Sequence, residues 1–255
     1  MAHAQKLELP FVTSPAAEKL SATLFLAHST TDKKFAKICA AQCISSKGSL
    51  AAETGPALPV DCDEVLLGTS NDVFFYAGLF RYPNTSCGLL FSRTLEEEHQ
   101  EAGVATPFDS GGLRRHVTLP DSAESIQSFL ARHEMPIPGY RQYLCQVMTA
   151  LFAEPKDYLE DVAPCHPCPV GLIGGDSRRW THEVRIPERV HVQQSSHLLA
   201  VFAPKSRVAA NPQIRDLFRW CEGENVDTIL FNTSRSDDFV ALQRECLSYI
   251  RRELY

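Results

Sequence analysis

Short apolar runs, separated by polar and turn-forming residues, recur along the chain, and each predicts an element. Thr23–Ala27 (TLFLA) is bounded by polar residues and reads as a buried strand. Thr31–Gln42 follows as a helix with Phe35, Ile38 and Cys39 on one face, after which the chain is expected to turn at Lys47-Gly48. Residues 51–59 read as a loop, while Glu64–Leu67, Asp72–Ala77 and Gly88–Ser92 read as short strands. Thr94–Ala102 is rich in glutamate and predicts a short helix, and Thr106–Leu113 (TPFDSGGL) is dense in turn formers.

The middle of the chain is helical in pattern. Asp121–His133 opens on a capping-box-like Asp-x-x-Glu, and Gly139–Phe152 forms a second helix. A proline- and glycine-rich loop from Glu154 to Arg179 leads to Trp180–Ile186 (WTHEVRI), the clearest strand by alternation, which Pro187 ends. Leu198–Phe202 and Thr228–Phe231 read as further apolar strands. Asp237–Leu254 reads as an amphipathic helix with Phe239, Leu242, Cys246 and Ile250 inward. Short strands with helices clustered between them predict an α+β fold, organised as one domain over residues 1–255 with a helical insertion at about 120–153.

Composition narrows the class without naming a chemistry. The 255 residues are 44% hydrophobic and 22% charged, which excludes a disordered, fibrous or coiled-coil chain. No apolar run approaches the ~18 residues of a membrane span, and MAHAQKLELPF lacks the order of a secretory signal. The expected setting is therefore cytoplasmic, with reduced thiols and no membrane partner. Basic residues number 25 against 31 acidic, a formal −6, so the chain is not built as a general nucleic-acid binder. Nine cysteines include one Cys165-x-x-Cys168 between prolines. A rigid proline turn is the first reading there and metal or redox chemistry the second, since no further ligand pair follows; no metal is expected.

Three features stand above this background. His28-Ser29-Thr30 closes the first apolar strand, where a histidine is presented towards a cleft and its ring nitrogens can fix a ligand hydroxyl. A satisfied structural histidine is the competing reading. Phe74-Phe75-Tyr76, followed by Arg81-Tyr82-Pro83, sets an aromatic platform beside a guanidinium, suited to a flat heterocycle and a phosphate. Taken alone, a core strand with a solvated arginine is the first reading. In WTHEVRI the alternation puts Trp180, His182, Val184 and Ile186 on one face and Thr181, Glu183 and Arg185 on the other. Glu183 there would orient a hydroxyl and stabilise positive charge on a sugar carbon, unless it forms a Glu–Arg pair on an exposed face.

Taken in order, these motifs resemble the ADP-ribosyltransferase superfamily, in its histidine–tyrosine–glutamate class, and within it the DarT-type toxins, which modify DNA bases. The pieces are His28-Ser29-Thr30, Phe75-Tyr76 with Arg81-Tyr82-Pro83, and Glu183-Val184-Arg185-Ile186-Pro187, with Tyr82 where the family has serine. The resemblance implies split antiparallel sheets flanked by helices and NAD as co-substrate. It implies Glu183 and Arg81 as catalytic residues, with His28, Ser29, Thr30, Phe75, Tyr76 and Arg81 holding NAD. The implied acceptor is macromolecular (DNA, RNA or protein), and an antitoxin or immunity protein is the implied partner. In that superfamily the segment before the glutamate contacts the target, which points to residues 176–179.

Two rival readings remain. A thiol hydrolase would use Cys87, at a Cys-Gly turn before a strand, activated by His116 or His182. A non-enzymatic binding module on an inactive transferase fold would dock through the acidic Glu96–Glu98 run. Neither a Gly-x-Gly-x-x-Gly fingerprint nor a Walker loop occurs. The Asp109–Gly112 turn is either a second functional loop or a tight connection, and Arg114, Arg115 and His116 form a small basic cluster beside it.

Overall fold

A computed structural model of the chain describes residues 12–60, 62–113, 123–166, 177–193, 196–233 and 237–254. The elements run α1 (Pro15–Thr23), β1 (Leu26–Thr30), α2 (Asp32–Ala41), β2 (Cys43–Ser45), α3 (Lys47–Thr54), α4 (Asp63–Leu67), β3 (Asp72–Ala77) and β4 (Cys87–Phe91). They continue with α5 (Thr94–Glu98), β5 (Val104–Thr106), α6 (Ala123–His133), β6 (Met135–Pro136) and α7 (Ile137–Leu151). The last are β7 (Glu183–Pro187), β8 (Arg189–His191), β9 (Leu198–Pro204), α8 (Lys205–Ala210), α9 (Pro212–Gly223), β10 (Asp227–Phe231) and α10 (Asp238–Leu254). The class is mixed, as the patterning predicts, with mostly antiparallel strands flanked by helices, as the resemblance implies. β10 runs parallel to β9.

The chain divides into two compact units. The first comprises Met1–Thr23, Ser46–Phe74 and Glu96–Glu188, and orders its strands β3–β7–β5–β6. Helix α1 packs on α7, and α4 on α6, over a cluster of Leu67, Phe108, Leu113, Phe129 and Leu130. A buried polar knot ties three distant positions of this unit together. Arg141 on α7 donates from Nε to Glu96 at 2.7 Å and from Nη1 to the Ser21 carbonyl at 2.6 Å, while the Tyr140 hydroxyl donates to the same Glu96 carboxylate. Glu96 is thus no part of an exposed acidic docking run.

The second unit comprises Leu24–Ser45, Phe75–Leu95 and Arg189–Tyr255, with strand order β10–β9–β4–β1–β3 and a separate pair β2–β8. All five residues of β4 are buried, as a run of CGLLF between two neighbouring strands demands. Gly88 is required at its second position, because a Cβ there would lie 2.3–2.8 Å from the Phe80 ring. That ring in turn meets Phe202 edge-on at 5.4 Å. Helix α10 lies on β9 and β10, and α9 packs on α2.

Several expectations are corrected. The predicted first strand begins later, at Leu26, because residues 15–23 form helix α1. Lys47-Gly48 opens α3 rather than a turn: the Ser46 hydroxyl accepts from the Ser49 amide, and Gly55 closes the helix with φ 82°. Residues 64–67 are helical, not a strand, since Gly68 at φ 75° accepts a left-handed cap. Glu183, rather than Trp180, begins β7, after a 3₁₀ turn at Ser177–Arg179. Helix α9 escaped the reading, although Asn211 caps Ile214, Pro212 starts the helix, and Ile214, Leu217, Phe218 and Cys221 form its inner stripe. No helix among the described residues is long and apolar enough to cross a membrane.

Candidate functional site

In the first unit the chemistry gathers on Glu183. As the first residue of β7 it lies opposite Thr106 on β5, whose hydroxyl donates to the Phe108 carbonyl at 2.8 Å and bends the chain into the Asp109 turn. Asp109 caps that turn by accepting the Gly111 amide at 3.1 Å. The cap aims Ser110 at Glu183: its hydroxyl and amide donate to the Glu183 carboxylate oxygen at 2.5 and 3.3 Å. Asp109 is clamped from behind, its amide donating to the Arg178 carbonyl at 2.9 Å and its carboxylate 3.5 Å from the Arg178 guanidinium.

Glu183 and Asp109 are each only 1% exposed. Burial, reinforced by the neighbouring Asp109 carboxyl and a side-chain hydrogen bond with it, holds the Glu183 carboxyl well above the usual carboxylate range. Arg185 and the Ser110 hydrogen bond oppose that shift. The sequence left the Asp109–Gly112 turn open between functional loop and connection; the fold brings it to Glu183 across 73 residues. The exposed Glu–Arg face is corrected, since Glu183 to Ile186 are all buried. Arg185 instead donates to Asp72 at 3.1 Å and to Glu134.

His182, one residue before Glu183, is enclosed by the rings of Tyr140, Tyr143 and Tyr158, with centroids at 6.4, 5.7 and 6.3 Å. Neither ring nitrogen has a hydrogen-bond partner among the described residues. Burial, with Arg141 nearby, lowers its pKa from 6.5 to about 3, so this histidine is neutral.

The second unit holds the other sequence candidates. His28, Ser29 and Thr30 end β1, in register with Leu89, Gly88 and Cys87 on β4. The His28 ring is half-buried and tilts against Phe75 at 5.7 Å. Ser29 accepts from the Thr85 hydroxyl at 3.1 Å, and the Thr30 carbonyl accepts the Ser86 amide at 3.1 Å. Tyr76 is buried and stacks on Tyr82 at 6.2 Å and 26°. Tyr82 is itself 40% exposed, whereas Arg81 is buried. The structure thus joins His28 to Phe75 and Tyr76 to Tyr82, while Glu183 gathers Ser110 and Asp109 in the other unit.

The thiol-hydrolase reading is corrected. Cys87 is fully buried within β4, and desolvation pushes its thiol up to about 12, the reverse of an activated nucleophile. Among the described residues no three His, Cys, Asp or Glu side chains converge as metal ligands. Cys165 is exposed, and Cys168, Arg114, Arg115, His116 and Asp176 lie outside the described residues.

No family model matches this sequence, and no curated protein sequence matches it. Among solved structures, the chain is similar to DarT of Thermus sp. 2.9 in complex with NAD+, at 7% identity and a TM-score of 0.44, over 86% of this chain and 98% of that one.

Proposed function

We propose that the protein is an NAD-dependent ADP-ribosyltransferase with Glu183 as its catalytic carboxylate. The observation that carries the reading is the state of Glu183: a carboxyl group withdrawn from water at the start of a strand and fixed by two donors from Ser110. Cleaving the bond between nicotinamide and ribose develops positive charge on the ribose carbon. A carboxylate held in a water-poor site stabilises that charge far more than one in solution, and pays no reorganisation when the charge appears. The same group can hydrogen-bond a ribose hydroxyl and later accept the proton of the incoming acceptor.

One consequence follows from the burial of Glu183. Burial and the Asp109 carboxyl disfavour its ionised form, whereas the cationic nicotinamide of bound NAD favours it, so NAD binding and ionisation of Glu183 are linked. His28, Ser29, Thr30, Phe75, Tyr76 and Arg81 are proposed as NAD-binding residues, with Arg81 also in catalysis; each is testable singly through NAD affinity. The proposed acceptor is a macromolecule, a nucleic-acid base or a protein side chain. A cytoplasmic setting, where NAD is available, and an antitoxin or immunity partner belong to the same proposal.

The test mixes the purified chain with labelled NAD and a panel of single-stranded DNA, RNA and cell lysate, with Glu183→Gln alongside. Transfer of label to one class by the wild type is expected, reduced in the variant by about 100-fold or more. Undiminished NAD turnover in Glu183→Gln would sink the reading. Absence of both nicotinamide release and NAD binding in the wild type would move the assignment to a binding module.

A further inference from the structure

Arg178 and Glu183 lie on one short stretch of chain, and each is joined to one of two consecutive residues on another. Arg178 holds Asp109 at both ends: its carbonyl accepts the Asp109 amide at 2.9 Å, and its guanidinium stands 3.5 Å from the Asp109 carboxylate. Asp109 accepts the Gly111 amide at 3.1 Å, which shapes the turn, and Ser110 delivers its hydroxyl and its amide to one Glu183 oxygen. These contacts close a ring. It runs from Arg178 to Asp109, along the chain to Ser110, across to Glu183, and back along the chain to Arg178. The return arm is braced as well. The Thr181 hydroxyl donates to the Ser177 carbonyl at 2.8 Å, the Trp180 amide to the same carbonyl at 3.2 Å, and the His182 amide to the Tyr158 hydroxyl at 3.0 Å. In a closed and braced ring one member does not shift without the others, which is how a carboxyl group is preorganised. The resemblance directs residues 176–179 towards an acceptor. Ser177 and Arg178 are instead buried, and the Arg178 guanidinium turns onto Asp109.

We propose that Arg178 is a positioning residue for Glu183, acting through Asp109 and Ser110 rather than on the acceptor. That the placement serves catalysis rests on the transferase reading; that Arg178 sets the placement rests on the contacts alone. Loss of the guanidinium releases the Asp109 carboxylate on that side, loosens the turn, and lets the Ser110 hydroxyl leave Glu183. NAD still binds, because none of the residues proposed to hold it belongs to the ring, but the carboxylate meets the ribose out of place. An arginine that gripped the acceptor would behave differently: transfer would fall while nicotinamide release to water stayed as it was.

The test measures nicotinamide release from NAD without acceptor, beside transfer of label to single-stranded DNA, RNA and cell lysate. It compares Arg178→Gln, Ser110→Ala and the double variant, each kcat taken on the plateau of its own pH profile so that altered ionisation is not read as displacement. Arg178→Gln is expected to lower kcat for release and transfer alike by about 10–100-fold, with KM for NAD changed by less than about 3-fold. Ser110→Ala should lose a similar factor, and the double variant little beyond either, because both changes break one ring. NMR of the full chain with carboxyl-labelled glutamate reads the placement without activity. The Glu183 signal, assigned by its loss in Glu183→Gln, should move in Arg178→Gln and in Ser110→Ala. If Arg178→Gln does not fold, Asp109→Asn, whose amide oxygen still accepts from Gly111, breaks the same ion pair and takes its place. Losses that multiply in the double variant, a loss carried by KM, a loss confined to transfer, or an unmoved Glu183 signal overturns the proposal. Should the wild type release no nicotinamide at any pH, the transferase reading fails by itself, and the carboxyl signal still decides whether Arg178 positions Glu183.

Discussion

Replacing His182 by leucine tests how much a neutral, unpartnered imidazole costs this fold. The ring is fully enclosed, both nitrogens lack partners among the described residues, and its pKa falls from 6.5 to about 3. A base whose folded pKa is depressed contributes stability that is present above its unfolded value and is lost as pH falls towards the folded value. Between about pH 7 and about pH 5 the unfolded state takes up the proton and the folded state does not. Linkage over that interval amounts to about 2 kcal/mol, approaching ~1.4 kcal/mol per pH unit at its acid end. Other acid-sensitive groups are common to both proteins, so the comparison isolates this ring. Urea unfolding followed by Trp180 fluorescence should show the wild type losing about 2 kcal/mol more than His182→Leu over that step. At neutral pH the variant should be no less stable, because two buried polar atoms without partners are replaced by an apolar group of similar volume. Parallel losses of stability in the two proteins would refute the depressed pKa and the enclosure that causes it.

Two further outcomes follow from the packing. Gly88→Ala drives a Cβ into the far end of the buried Phe80 ring, which Phe202 keeps from retreating, and should cost about 2 kcal/mol, or roughly 4–8 °C in Tm; a melt within 1 °C of wild type, taken as about the error of the method, contradicts it. Arg185→Met strands Asp72 and Glu134, both partly exposed, and should cost about 2 kcal/mol at neutral pH, shrinking as acid protonates the two carboxylates; a loss independent of pH is the contrary result.

The parts of the fold that the sequence discloses are those where one periodicity rules. β4 and β9 are unbroken apolar runs, β3 and β10 are apolar after a leading Asp72 and Asp227-Thr228, and α2 and α10 carry a clean stripe, so their positions follow to within a few residues. Residues 63–67 (DEVLL) hold too few positions to separate a helical turn from a strand, and only the left-handed Gly68 after them decides. Gly48 reads as a turn former but sits in helix α3, where Ser46 caps and little else votes. At the candidate site, Glu183 was visible as a carboxylate out of place in an apolar strand. Asp109 and Ser110 stood out only as part of a turn left open between functional loop and tight connection, because their meaning lies in a contact made 73 residues away and two glycines were the main local sign. For His182, which lies just before the strand, nothing in the sequence shows three tyrosines closing on it from α7 and the following turn.

The polar knot at Arg141 has a bearing on how the chain is made. Ser21 and Arg141 grip each other in both directions, side chain to backbone, across 120 residues. Helix α1 has nine residues, below the ~12–15 at which an isolated helix holds in water, and its inner face is Ala17, Leu20 and Ser21. At ~5–20 residues per second a ribosome needs roughly 6–24 s to synthesise the stretch between them. For that interval helix α1 lacks its clasp, because the residue that grips it is not yet translated. Delayed elongation between the two would prolong its exposure to chaperones and proteases, while the finished protein would be unchanged.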